Sequence, residues 1–372
     1  MRVAINTRLL IKNKIDGIGK FTFEILKRIV NNNPEIEFHF IFDRPYSSDF
    51  IFNKNIIPHI LTPATRHPIL WYIWVEHKLP KLLNKINPDV FFSPDGFIPN
   101  NCTSPSISVI HDINFEHYPS DLNWMHSLFY RYFFKKYAYR SKKIITVSNF
   151  SKNDIQKKYR INKDKIDVVY NGVSEYFQIA SNDTKNAIKR QYTNGDDFFL
   201  FIGSLHKRKN IKNLLLSFEQ YKKNNGNSKL LIIGENKWID KDTKKIYQSM
   251  KFKNDVIFLG RINNTELVKI LGSATALLFI SIFEGFGIPI IEAMKCSVPV
   301  ITSKTSCMPE IAHDSAIIID PHNIEEIKNS MIEIEKNAPL RMELIQKGHN
   351  RIKKFNWSTS ANKVWKIIKS NI

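Results

Sequence analysis

The chain has 372 residues and a formal net charge of +20, with 43% hydrophobic and 24% charged residues. That balance is too apolar for a disordered chain. No apolar run approaches the roughly 20 residues that span a bilayer, and the start, MRVAINTRLL, lacks the apolar core and cleavage site of a signal peptide. Three cysteines, Cys102, Cys296 and Cys307, are too few and too scattered for a disulfide framework or a tetrahedral zinc site, which points to a reducing, cytoplasmic location. The basic excess is spread as +10 on residues 1–170 and +10 on 171–372. A richness in Lys, Asn and Ile together is what AT-biased codon usage gives, so the charge alone names no partner.

In chain order, MRVAIN reads as a buried strand. DGIGKFTFEIL then sets Gly17 and Gly19 ahead of an amphipathic helix, where loop glycines let a backbone approach a ligand. The stretch lacks the third glycine of the dinucleotide fingerprint, and no G-x-x-x-x-G-K-[ST] loop occurs. EFHFIF, DVFFSP, SISVIHD and KIITVS follow as strands. SISVIHD puts His111 and Asp112 at a strand end; Glu116 and His117 come next, without a compact metal-ligand spacing. Between these strands Trp124–Lys143 holds six basic residues, eight aromatics and no acidic residue, on helix-compatible sequence. It fits two readings: an interfacial helix for anionic headgroups, or a core helix with snorkelling lysines. DKIDVVYNGV closes the half at an Asn-Gly turn.

Residues 173–195 are polar without a clear period and read as a linker. The alternation restarts with the strand DFFLFIG. LFIGSLHKRKNIKNLL then places Gly203, Ser204, His206, Lys207, Arg208 and Lys209 between a strand and a helix, where basic groups suit a diphosphate or are merely solvated. KLLIIG and DVIFLG are strands, TELVKILGSA a helix and ALLFIS a strand. FEGFGIPIIEAMKCSVPVITS follows as a glycine turn, a helix and a strand. Pro289 suits the first helical position, and Gly285 and Gly287 lie in the turn before it. The free N–H groups of Gly287 and Ile288 make an anion site there. Glu284 and Glu292, with seven residues between them, flank it as acceptors for sugar or ribose hydroxyls. An ordinary strand–helix connection with two surface carboxylates has the same spacing. The last segment reads as a helix with Val364, Trp365, Ile367 and Ile368 on one buried face.

Strands alternating with helices build parallel sheets, here twice. The fold class is α/β, with two doubly wound, Rossmann-like domains, 1–172 and 196–354. The expected site is the cleft that they face, at the carboxyl ends of the strands.

Together, GIGKFTFEIL, the strand-end His111-Asp112, VSNFSKNDI, YNGV, FIGSLHKRKNI, the EGFGIPIIEAM block and PVITSKTSCMPEI resemble glycosyltransferase family 4, retaining nucleotide-sugar enzymes with a GT-B fold. The HD-x-x-F-x-x-x-P and GSLHKRKN forms are similar to bacterial mannosyltransferases of that family. The resemblance implies that helix 355–372 packs back on the first domain. It assigns catalysis to His111, Arg208, Lys209 and Glu284. It assigns donor binding to Gly203, Ser204, Arg208, Lys209, Glu284, Gly285, Phe286, Gly287, Ile288 and Glu292, with Glu292 on the ribose and Lys209 on the diphosphate. Gly17 and Gly19 fall to the acceptor. It implies no metal and no cofactor beyond the donor, with GDP-mannose as first choice. The expected acceptor is a saccharide or lipid-linked saccharide at the inner face of the cytoplasmic membrane and no nucleic acid is expected as partner, while the interfacial reading of Trp124–Lys143, and not the resemblance, adds peripheral contact to anionic lipid. Many family members carry Arg where this chain has Ser204, so Arg208 and Lys209 must supply the positive charge. Two other classes stay open: a GT-B nucleotide-sugar epimerase or phosphorylase, and a non-catalytic membrane- or nucleic-acid-binding protein.

Overall fold

The apolar runs of the first half become strands β1 (Arg2–Asn6), β2 (Glu37–Phe42), β3 (Ile56–Ile60), β4 (Val90–Ser93), β5 (Ser106–Val109), β6 (Lys143–Thr146) and β7 (Ile166–Val168). The computed structural model describes residues 1–15, 17–235 and 240–372; Asp16, which opens the first glycine stretch, lies outside them. The chain divides into two units, one of residues 1–172 with 356–372 and one of 173–355.

In the first unit the sheet order is β3-β2-β1-β4-β5-β6-β7, and every pairing is parallel. Strands covered on both faces need apolar residues on both, which is why these segments read as continuous runs rather than alternations. Strand β3 has no such run. Its sequence is IIPHI, and Pro58 is tolerated because β3 lies at the sheet edge. The helix Trp357–Lys369 belongs to this unit and packs on the helix Gly17–Asn31. It buries Val364, Trp365, Ile367 and Ile368, with the Trp365 ring 5.9 Å from Phe38.

The second unit carries β8 (Phe198–Ile202), β9 (Lys229–Ile233), β10 (Val256–Gly260), β11 (Ala276–Phe279), β12 (Val300–Ser303) and β13 (Ile317–Ile319). Their order is β10-β9-β8-β11-β12-β13, again all parallel. Each sheet therefore reverses its strand order once, between β1 and β4 in the first unit and between β8 and β11 in the second. Ligands in open parallel sheets bind outside the strand ends at such a reversal.

The expected linker is in part a helix. Residues Asn182–Thr193 are helical, with the Ser181 hydroxyl accepting the Thr184 N–H at 3.2 Å. This helix packs on the helix Asn264–Ser273, and Tyr192 Oη donates to Glu266 at 2.9 Å. Only Ile188 and Thr193 are buried in it, too few to impose a visible apolar period. Among the described residues no helix is long and apolar enough to cross a membrane.

The first unit closes where Gly172 meets Trp357. A Cβ on Gly172 would stand 2.5 Å from the Trp357 backbone nitrogen and 2.6 Å from its ring. Gly172→Ala should therefore force the last helix away, at about 1–3 kcal/mol. A lowered urea midpoint for the transition of the first unit, read by tryptophan fluorescence, is the expected result.

Candidate functional site

Two loops meet at the reversal of the second sheet. The first leaves β8 through Gly203, whose φ of +155° suits glycine. Lys207–Lys209 then form a single 3-10 turn, Asn210 adopts a left-handed conformation, and the helix Ile211–Lys223 begins. The Asn210 side chain holds this turn by donating to the carbonyls of Ile280 at 3.2 Å and Pro321 at 2.6 Å. Close approach of β9 adds a constraint, since a Cβ on Gly234 would lie 1.9 Å from the Gly203 carbonyl oxygen.

The second loop leaves β11 and runs through Phe283, Glu284, Gly285 and Phe286 to Gly287, which caps the helix Ile288–Lys295 at φ +85°. Pro289 is the second residue of that helix, not the first, and Glu292 the fifth, at the start of its second turn. The Phe286 ring is buried edge-on to Phe355, at 5.6 Å.

The Glu284 side chain joins the two loops. Lys209 Nζ donates to Glu284 Oε1, and Arg208 Nη1 donates to Glu284 Oε2 at 3.2 Å and to the Phe283 carbonyl at 3.0 Å. The Ile282 N–H donates to the Arg208 carbonyl at 2.7 Å. Lys209 and Glu284 are each only 8% exposed. Burial alone would raise the Glu284 carboxyl, but Lys209 and Arg208 hold it below the usual carboxylate range. One carboxylate against two cations leaves a net positive cluster beside a helix N-terminus, the electrostatics of a site for a polyanion. Lys207 differs: it is exposed, and with His206, Asp240 and His322 it lines a cavity of about 360 Å³ that does not include Lys209. Ser204 offers no cation; its carbonyl accepts the His206 N–H at 2.9 Å. Glu292 is buried, and burial together with its carboxylate pushes the Cys296 thiol up to about 12, so that thiol stays protonated.

Sequence reasoning missed the brace behind Glu284. The Ser306 hydroxyl accepts the Glu284 N–H at 2.9 Å and donates to the Glu284 carbonyl at 2.5 Å, while Thr305 Oγ1 donates to the Ile282 carbonyl at 2.8 Å. Only a hydroxyl-rich turn after β12, at the strand next to β11, signalled it.

In the first unit the expected residues are placed differently from one another. Gly17 and Gly19 do not precede the helix but are its first and third residues, so they offer first-turn N–H groups rather than a loop. His111 follows β5; its Nε2 lies 3.0 Å from the Pro94 carbonyl and must be the donor, and its ring stands edge-on to Phe21 at 5.0 Å. Asp112 Oδ1 accepts the Asn114 N–H at 2.9 Å. His117 pairs with Asp154, and Glu116 accepts from Tyr159 Oη at 3.1 Å. Among the described residues no group of three His, Cys, Asp or Glu could hold a metal ion.

The reversal of the first sheet holds a polar cluster that the sequence reading did not single out. Arg8 Nε donates to Asp95 Oδ2 at 2.5 Å, and its guanidinium lies 4.1 Å from the Phe97 ring centre. Asn6 Nδ2 donates to Asp95 Oδ1 at 2.8 Å. The signal was polar residues at the end of β1 and just after β1 and β4, the two strands that border the reversal.

Comparison with known proteins agrees with this architecture. A family model described as Glycosyltransferase Family 4 matches residues 15–175, and one described as Glycosyl transferases group 1 matches 183–351. The chain is similar to an O-antigen chain mannosyltransferase B of Escherichia coli, 24% identical over 93% of this chain and 94% of that one. It is also similar to O-antigen chain mannosyltransferase RfbU of Salmonella typhimurium, 28% identical over 76% and 75%. Its structure resembles that of WaaG, a glycosyltransferase involved in lipopolysaccharide biosynthesis, with a TM-score of 0.75, 15% identity, and coverage of 98% and 99%. The fold is GT-B.

The buried cluster sets a pH test. A carboxyl held below its ordinary value contributes its full stability above the unfolded-state value and loses it as the pH falls towards the folded one. Glu284→Gln leaves Lys209 and Arg208 without their carboxylate and should cost about 3–5 kcal/mol at neutral pH. That deficit should shrink as the pH drops below the ordinary carboxylate range, because the parent then loses the same charge. Paired denaturation curves across that range are the measurement.

Proposed function

The chain belongs to the glycosyltransferases, with a family 4 domain in its first half and a group 1 domain in its second, and on that premise we propose that it is a retaining hexosyltransferase. It moves mannose from GDP-mannose to a saccharide or lipid-linked saccharide of a surface polysaccharide. The observation that carries the chemistry is the buried Lys209–Glu284–Arg208 cluster at the sheet reversal. The names of the two relatives support mannose and a polysaccharide product.

In this reading the diphosphate lies against Lys209, Arg208 and the N–H groups around Gly287 and Ile288. Glu292 accepts the ribose hydroxyls. Glu284 accepts hydroxyls of the sugar while its charge keeps Lys209 and Arg208 in place. As the bond between the sugar C1 and the phosphate oxygen breaks, its electron pair goes to that oxygen. The fixed cations oppose the growing charge, and one such donor is worth roughly 3–4 kcal/mol. The acceptor hydroxyl oxygen bonds to C1 on the same face, and its proton passes to the departing phosphate. The first unit holds the acceptor, with the first-turn N–H groups at Gly17 and Gly19 as its contacts, and the imidazole of His111 lies beside the transferred sugar.

Thermal shift across GDP-, UDP- and dTDP-sugars, followed by transfer assays, tests the donor. GDP-mannose should give the largest shift; a larger shift with a UDP-sugar overturns the donor assignment. Lys209→Ala should lower turnover about 10²-fold or more, and Lys207→Ala should leave it nearly unchanged. Because the diphosphate charge is assigned to side chains and backbone N–H groups, activity should survive a chelator; loss restored by Mg²⁺ or Mn²⁺ would refute that assignment.

A further inference from the structure

The basic aromatic segment is divided by the fold. Residues Trp124–Arg140 form one helix, whereas Lys143 opens β6. Phe129, Phe134 and Tyr137 are buried in the core of the first unit. Trp124, Leu128 and Tyr132, four residues apart and so on one face, are 71%, 63% and 56% exposed. Tyr139 continues the same stripe.

The neighbouring helix Pro68–Tyr72 extends it. Ile69 is 59% exposed and Tyr72 is exposed as well. Tyr72 reaches the stripe through Phe133, whose ring lies 5.8 Å from Tyr72 and 4.9 Å from Tyr132. Among the described residues, six of the fourteen exposed large apolar side chains belong to these two helices. Scattered exposure is ordinary; this concentration is not.

The charges sort in the same way. Lys142 donates to the Asn371 carbonyl at 2.8 Å and Lys143 to the Asp164 carbonyl at 2.6 Å, so both are tied into the fold. Arg131 stands 3.6 Å from Glu116, and Arg140 donates to the Cys102 carbonyl. Lys135 and Lys136 are exposed on the helix, and Lys136 Nζ lies 3.8 Å from the Tyr132 ring centre. No acidic side chain lies on this helix. The face thus joins a Trp and Tyr stripe, suited to the headgroup boundary, with cations that attract an anionic surface.

We propose that this face docks the first unit on an anionic lipid surface. Trp124, Leu128 and Ile69 enter the headgroup–acyl boundary, and Lys135 and Lys136 meet the phosphates. The proposal deepens the lipid-linked acceptor reading and rests on it for its purpose: docking confines enzyme and acceptor to one plane. The binding itself needs neither donor nor acceptor.

The full chain is sedimented with vesicles of phosphatidylcholine alone or with about a third phosphatidylglycerol. It should pellet with the anionic vesicles only, and release as salt rises from about 0.1 M to about 0.5 M. Lys135→Gln with Lys136→Gln should weaken binding at least about fivefold. Trp124→Ser with Leu128→Ser should abolish the vesicle-induced blue shift of tryptophan emission. Both variants should keep the parent's melting temperature and its transfer to a water-soluble saccharide. Failure to pellet, or equal pelleting with neutral vesicles, overturns the proposal and leaves a protein- or nucleic-acid-binding face. A variant that melts early assigns the face to the core and also overturns it. Donor binding is read separately by thermal shift, so a failed donor assignment leaves this test intact.

Discussion

One carboxylate between two cations organises the second unit. Glu284 closes the loop after β11 onto the turn after β8, where the side chains of Asn210 on one side and of Thr305 and Ser306 on the other brace the two loops. Removing ions from water is costly, and mutual attraction repays the cost only with good geometry and further hydrogen bonds. Here the further bonds come from the Phe283 carbonyl, which accepts from Arg208, and from the Ser306 hydroxyl, which fixes both the N–H and the carbonyl of Glu284. The arrangement is then ready for a second anion without rebuilding, because two positive groups are already oriented against one negative group. Fixing dipoles and charges before the reaction is what makes them effective during it.

The same logic recurs in the first unit with a different outcome. Arg8 and Asp95 also meet at a sheet reversal, and Asn6 and Thr65 complete their hydrogen bonding. There the charges balance one to one and a ring covers the guanidinium. The first reversal is closed by its own side chains; the second keeps a surplus of positive charge.

Much of this was legible in the sequence, and the exceptions have specific causes. Doubly covered parallel strands announce themselves as apolar runs, so β1, β8 and β11 stood out. The edge strand β3, with Pro58 inside it, did not. The helix Asn182–Thr193 hid because it buries little, and polar caps carry part of its definition. The Glu284–Glu292 spacing was visible, and so was the basic turn at Arg208 and Lys209. That all three charges share one contact was not, since 75 residues separate Lys209 from Glu284. Ser306 was hidden for the same reason: a hydroxyl in a loop looks alike whether it braces a neighbouring strand end or faces water. In Trp124–Lys143, composition gave the ingredients of a surface helix and of a core helix, and helical phase gave each a side.

The position of the last helix has a consequence for synthesis. The first unit is interrupted by the whole second unit, 183 residues from Val173 to Phe355, before Trp357–Lys369 completes it. At about 5–20 residues per second, a ribosome needs roughly 10–40 s to cross that stretch. During this interval Phe21, Phe38 and the rest of the surface that the last helix covers must wait uncovered. The second unit has no such gap and is complete as soon as Phe355 has emerged. Order of folding is therefore reversed relative to order of translation: the part begun first is finished last. A ribosome that stops before Trp357–Lys369 is made releases a chain whose second unit is whole and whose first is left open, with its apolar surface offered to whatever chaperone or protease is nearby.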